Sequence, residues 1–398
     1  MFAYHPLRWH LLLIMCFFLS SCGGGGGGSN PVTSSSGNTV YDETVLDDLD
    51  YTQGTPSTSS LSDTASSLLV NDTSKSILRD NTAASLPITI AHSLYNAGFE
   101  YPIATRDTNA SQAWQDGWTG LGQIIGFLDE FDEGDAVGLV NSDDNTNDSH
   151  GEKVSFIANS VAPEAELIWY NVVGQTDTNQ SQAAIIEDRF NLTEDDSIEL
   201  ENSGALIINN SWNTLRKDIT SDSTWENEIA ILQNLLANQN HSYSDEMLFV
   251  YSTGNLIPGE PCPSKKLEEC DVTAATILEN RNMGIDDNRV RMWVGSVDSN
   301  NVIASYSIEA GEMANDFLTA HDDLLSSGDG EGTSYAAPRV SGAAALLNQK
   351  FPNLKGNDIK DVLLQTADDL GATGVDDIYG YGLLNINNAK SPVGTLSP

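Results

Sequence analysis

Ile124-Ile125-Gly126-Phe127-Leu128-Asp129 is an unbroken apolar run that stops at a carboxylate. A strand with one face in water alternates apolar and polar side chains; a strand covered on both faces does not, and this run is of the second kind. Four further runs of strand length share its texture, at 167–173, 205–208, 248–251 and 293–297. Helical periodicity falls between them. Residues 226–239 set Ile229, Leu232, Leu235 and Leu236 on one stripe, as an amphipathic helix requires. A second helix is expected from near Ser334 through Ala343, Ala344, Ala345, Leu346 and Leu347. Strands alternating with helices predict an α/β fold of three layers, with a mainly parallel central sheet and helices on both faces. Reactive groups in such sheets gather at the carboxyl ends of the strands, which is where Asp129 stands.

Two other segments fit that end of a sheet. His150-Gly151 leads into Val154, Phe156 and Ile157, a short amphipathic helix, and Gly332-Thr333-Ser334-Tyr335-Ala336-Ala337-Pro338 opens the alanine-rich one. The start of that helix offers free N–H groups and positive dipole beside the Ser334 hydroxyl. Pro338 is expected within the first turn, where no N–H partner is lost. A serine hydroxyl needs a base to take its proton, and the base needs an acid to hold its tautomer. Asp129, His150 and Ser334 supply those parts in the order Asp, His, Ser. The nearest rivals of Asp129 are Glu130 and Asp132, and Asp132 falls beyond the strand. His92, His241 and His321, the other histidines outside the leader, sit in no comparable motif.

These residues carry a resemblance. Gly332 to Pro338, continued by Arg339-Val340-Ser341-Gly342-Ala343-Ala344-Ala345-Leu346, is similar to the nucleophile signature of the subtilisin-like serine proteases, the subtilases. His150-Gly151-Glu152-Lys153-Val154 resembles their histidine helix, and Ile125-Gly126-Phe127-Leu128-Asp129 their aspartate strand. Val250-Tyr251-Ser252-Thr253-Gly254-Asn255 resembles the strand that ends in their oxyanion asparagine, and Ile208-Asn209-Asn210-Ser211-Trp212-Asn213 their substrate-lining strand. Tyr379-Gly380-Tyr381-Gly382-Leu383-Leu384-Asn385 is similar to the family's domain ending. The resemblance implies a subtilisin-like fold and a serine endopeptidase that cuts polypeptides through an acyl-enzyme. It implies Asp129, His150 and Ser334 as the triad, Asn255 at the oxyanion, and Ser211, Trp212, Asn213 and Gly254 along the substrate. A turn residue after Gly254 is the plainer role for Asn255 taken alone. No cofactor is required. Calcium is common in the family; Asp143-Asp144 and Asp286-Asp287 offer oxygen ligands, but acid pairs are expected by chance among 57 acidic residues, so no metal site is assigned.

The chain departs from the family in four places. Glu130 and Phe131 follow the aspartate where a small hydroxyl residue and glycine are usual, and Glu152-Lys153 replace a threonine and a further histidine. Tyr335 stands for methionine and Asn213 for glycine. Alternation along the strand would turn Glu130 away from Asp129; pointing inward, it would raise the basicity of His150. These changes leave open an inactive subtilase fold that captures peptides. An esterase lacks support, because no Gly-x-Ser-x-Gly elbow surrounds Ser334. A carboxyl protease of the sedolisin kind would use Glu in place of His.

The ends of the chain read differently. Arg8 precedes the apolar run 11–19, too short to span a bilayer but suited to a secretory signal peptide over 1–21. Leu19-Ser20-Ser21-Cys22 resembles the lipobox of bacterial lipoproteins, and the glycines at 23–28 suit a flexible tether. The expectation is an exported lipoprotein held at the outer membrane or cell surface through Cys22, with the lipid as its sole membrane contact. Residues 22–90 are poor in aromatics and read as a disordered tether, 91–392 as the peptidase domain, and 393–398 as a short tail. Export places Cys262 and Cys270 in an oxidising compartment, where a disulfide between them is expected. The net charge of -39 repels phosphate backbones and excludes nucleic acid as a partner. The partners expected are polypeptide substrates, and the protein is expected to act as a monomer.

Overall fold

The structure, a computed structural model, describes residues 46, 49–57, 110–131, 149–171, 195–212, 222–237, 247–256, 262, 264–284, 289–322 and 331–392. Cys22, Asp132, Asp143, Asp144, Asn213, Asp286 and Asp287 lie outside these residues, as do the signal peptide and the tail. Asn38–Pro398 form one compact unit and Met1–Gly37 a second, which also lies outside them.

Among the described residues, six strands form one sheet in the order β2-β1-β3-β4-β5-β6. They are β1 (Ile124–Asp129), β2 (Glu166–Asn171), β3 (Ile207–Asn210), β4 (Leu248–Ser252), β5 (Val290–Val297) and β6 (Phe317–His321). Every neighbouring pair is parallel. Chain order reverses between β1 and β3, because β1 is followed by β2 on one side and lies against β3 on the other. That makes the carboxyl ends of β1 and β3 the topological switch point, where open α/β sheets place their sites.

Both faces of the sheet are covered, so its strands do not alternate in hydropathy. Ile125, Phe127, Leu248, Val250, Met292, Val294, Leu318 and Ala320 enter one core with α2 (His150–Val161) and α6 (Thr333–Lys350). Leu128, Ile168, Ile208 and Phe249 enter a core on the other face. Trp293 and Phe317 pack with Ile277 of α5 (Val272–Asn282) and with α4 (Leu267–Cys270). The stripe of α3 (Asp222–Ala237) meets α5 through Ile229, Leu232, Val272 and Ala275. α6 crosses α2 closely at Gly342, where an added Cβ would stand 2.6 Å from that of Val161. Other described helices are α1 (Ala110–Gln115), α7 (Gly356–Gln365) and α8 (Ile386–Ala389), with a further helical segment at 195–202 and a 3-10 helix at Gly311–Asp316.

Several boundaries move. β6 carries Thr319 and His321, which break its apolar run. It is a strand because Leu318 and Ala320 face the core and Thr319 pairs with the chain ending, its N–H and Oγ1 both donating to the Gly382 carbonyl at 2.7 and 2.9 Å. Pro338 is the sixth residue of α6, not part of its first turn. Its missing N–H frees the Ser334 carbonyl, which accepts instead from the Ser211 hydroxyl at 2.9 Å. Cys262 and Cys270 are joined as a disulfide, with Cα atoms 5.5 Å apart.

The tether assignment over 22–90 needs the largest revision. Residues 49–57 lie on the carboxyl-terminal end of α6. The Gly54 N–H donates to the Lys350 carbonyl at 2.8 Å and the Ser57 N–H to the Gly117 carbonyl at 2.7 Å. Tyr51 meets the Phe351 ring edge-on at 5.0 Å, and Leu46 is buried in the main core. Gln349 joins the pieces: its amide nitrogen donates to the Thr55 carbonyl, and its amide oxygen accepts from the Thr119 and Gly120 N–H groups. Composition missed this because an extended strap needs no periodicity; it meets carbonyls that a helix end leaves without partners.

Candidate active site

β1 delivers Asp129, 1% exposed, to the switch point. Its Oδ1 accepts from the Glu130 N–H at 2.7 Å and lies 2.6 Å from His150 Nδ1. His150 is the first residue of α2 and its ring is half-buried. Two features hold that helix start in place. The Gly151 N–H donates to the Glu130 carbonyl at 2.8 Å, an approach open only to glycine, since a Cβ would fall 2.4 Å from the Phe131 ring. Phe131 in turn stacks on Trp169 at 4.3 Å. Glu152 completes a capping box: Ser149 Oγ accepts from the Glu152 N–H at 3.3 Å, and the Glu152 carboxylate accepts from the Ser149 N–H at 3.1 Å. Two of the four departures from the subtilase pattern, Glu130-Phe131 and Glu152, therefore fix the histidine. The signal for the second, Ser149-x-x-Glu152, is legible in sequence as a helix start.

Burial pushes the His150 imidazole down. The Asp129 carboxylate, by its charge and its hydrogen bond, and the Glu130 carboxylate push it up; Lys153 opposes them, and the balance lies above the ordinary value. Glu130 is exposed, so its charge reaches the ring without pointing inward beside Asp129. Tyr335 sits 5.9 Å from the His150 ring, centroid to centroid. Burial, then the Asp129 charge, pushes its phenol up.

Ser334 occupies the first turn of α6 and is partly exposed. Its hydroxyl donates to the Ser211 carbonyl at 2.9 Å, while the Ser211 hydroxyl donates to the Ser334 carbonyl. This reciprocal pair joins the end of β3 to the start of α6. No hydrogen bond joins His150 to Ser334. Asn255 follows β4. Its Oδ1 accepts from the Thr333 N–H at 2.9 Å and from the Thr333 hydroxyl at 3.2 Å. The Thr333 hydroxyl also accepts from the Gly254 N–H at 2.9 Å. With Oδ1 so engaged, the donor side of the amide, Nδ2, faces the Gly332 turn, 3.0 Å from a Cβ built there. Sequence patterning carries no sign of this task for Thr333. Trp212 is half-buried beside Ser211. Among the described residues, no group of three or more His, Cys, Asp or Glu side chains is placed to hold a metal ion.

A model of the subtilase family, Peptidase S8, matches residues 134–382. The chain is a subtilase. Asp129 precedes the matched stretch. The subtilase is 27% identical over 269 residues to the autotransporter lipoprotein NalP of Neisseria meningitidis, a match covering 59% of this chain and 24% of that one. It is 34% identical over 153 residues to subtilisin BL of Lederbergia lenta, covering 34% of this chain and 55% of that one. Serotype-specific antigen 1 of Mannheimia haemolytica is 28% identical over 213 residues, covering 48% and 21%. The chain thus spans about a quarter or less of the length of NalP and of the Mannheimia antigen. In fold it is similar to MycP1 from the ESX-1 type VII secretion system, with a TM-score of 0.50 at 20% identity over 80% of this chain and 91% of that one. A lanthipeptide protease gives a TM-score of 0.50 at 17% identity over 78% and 98%.

Proposed function

We propose that this subtilase is an exported serine endopeptidase that hydrolyses polypeptides through Ser334. The contact between Asp129 and His150, at the same sheet end as Ser334, carries the reading. His150 takes the Ser334 proton as the hydroxyl attacks a peptide carbonyl, and Asp129 holds its tautomer and stabilises the imidazolium. Attack forms the bond from Ser334 Oγ to the carbonyl carbon and moves an electron pair onto oxygen. Asn255 Nδ2 and the Ser334 N–H, which has no helical carbonyl to meet, donate to that oxyanion. His150 then returns the proton to the departing amine, leaving an acyl-enzyme that water hydrolyses. An extended substrate lies against Ser211 and Trp212 after β3 and Gly254 after β4. No cofactor takes part, and the enzyme works as a monomer.

The test is casein cleavage together with labelling by a fluorophosphonate. We expect both in the wild type and neither in Ser334→Ala. Retained cleavage in His150→Ala would point instead to a carboxyl protease. One observation favours a second reading, a peptide-binding subtilase fold that does not cut: the Ser334 hydroxyl rests on Ser211, not on His150. A wild-type chain that binds peptide yet stays unlabelled would establish it.

Export and a lipid on Cys22 belong to the same proposal. The lipobox-like Leu19-Ser20-Ser21-Cys22 supports it, as does similarity to a protein named an autotransporter lipoprotein. Palmitate labelling that persists in Cys22→Ala would refute the anchor.

A further inference from the structure

Asp322 directly follows β6 and is 4% exposed. Its Oδ2 accepts two hydrogen bonds, from the Gly332 N–H at 2.9 Å and from the Tyr306 hydroxyl. The two donors belong to two separate segments that both meet Asn255. Gly332 opens the turn into Thr333 and Ser334. Tyr306 belongs to the segment that pairs with Asn255: the Leu256 N–H donates to the Tyr306 carbonyl at 2.8 Å, Asn255 bridges Ser307, and the Ile308 N–H donates to the Gly254 carbonyl at 3.3 Å. Thr333 closes the circuit through its two bonds to Asn255 Oδ1. One carboxylate oxygen thus fixes the spacing between the strand end that carries Asn255 and the turn that carries Ser334. The base of that carboxylate is itself anchored to the nucleophile helix, because the buried Arg339 guanidinium donates to the carbonyl of His321, the preceding residue.

We infer that Asp322 is a positioning residue for the oxyanion site, holding the Asn255 amide and the Ser334 N–H at the separation a single oxyanion needs. A hydrogen-bond donor aids catalysis only where the charge develops, and a displacement of a fraction of an ångström forfeits much of its effect. The inference rests on the protease reading. An acceptor oxygen is what the geometry demands, so Asp322→Asn should keep the function and Asp322→Ala should lose it.

The experiment measures kcat and KM on a quenched-fluorescent peptide taken from a casein site that the wild type cuts. Asp322→Ala is expected to lower kcat about tenfold or more with KM little changed, and Asp322→Asn to recover most of it. In an Asn255→Ala background the same Asp322→Ala change should cost less than about twofold, because the donor it positions is gone. Equal losses in the two backgrounds, or no recovery with Asn, would show a purely structural residue and overturn the inference. If Asp322→Ala gives no cooperative melt, Tyr306→Phe replaces it, since it releases one bond and leaves the carboxylate. A drop in kcat that depends on Asn255 then supports the inference, and one that does not overturns it. A wild type that neither cleaves casein nor takes the fluorophosphonate overturns the protease reading and the inference together, and so is distinct from the other outcomes.

Discussion

Two carboxylates act on the His150 imidazole, and they do different work. Asp129 is buried and bonded to Nδ1, so it sets the tautomer. Glu130 is exposed and contributes only its charge, against that of Lys153. In the proposed mechanism the base must be neutral to take a proton, so activity rises with pH as His150 loses its own. A residue that raises the folded value moves this rise to higher pH. Glu130→Gln should therefore shift the acidic limb of the kcat/KM profile to lower pH, with little change in the plateau; a limb that stays put or moves up would remove Glu130 from the site. Asp129, His150 and Ser334 stand out in the chain because each ends or begins an apolar segment and their order matches a known pattern, whereas Asn255 stands out by family resemblance alone. Thr333 and Asp322 do not. Thr333 meets Asn255 from 78 residues away, and Asp322 meets Gly332 and Tyr306 from 10 and 16 residues away; a single threonine or aspartate leaves no periodic trace of such partners.

Helix starts and strand ends show where local sequence suffices and where it fails. α2 begins at His150 because Ser149 and Glu152 exchange backbone bonds, an arrangement written into four consecutive residues. Ser149→Ala should lower stability by about 1 kcal/mol, read as the urea midpoint, whereas Glu152→Gln, which can still accept from the Ser149 N–H, should leave it close to wild type. Equal losses in both would mean that the box does not set the helix start. α6 is less readable. Its sequence predicts a helix but not the fate of the Ser334 carbonyl, which Pro338 deprives of a helical donor and the Ser211 hydroxyl satisfies. β6 is hard to read for a related reason: Thr319 and His321 are polar in sequence, and only the Gly382 carbonyl shows why a buried strand tolerates the threonine.

Across the whole molecule, five of the six described strands were legible from hydropathy, because strands covered on both faces are mostly apolar; β6 was not. Nor was the strap at 49–57, because its value lies in what it touches. Burial of a leucine the size of Leu46 is worth roughly 1.5–3 kcal/mol, and the Tyr51 and Gly54 contacts add to it. In a Ser334→Ala background, which removes the proposed nucleophile, a chain starting at residue 58 should melt several degrees below one starting at residue 46. Equal melting temperatures would reduce the strap to a passive appendage.

The strap also fixes a direction. It sits against Lys350, at the far end of α6 from Ser334, about 24 Å away along a helix that rises 1.5 Å per residue. Force applied to the chain at Asp50 therefore enters the body at the opposite end of α6 from Ser334.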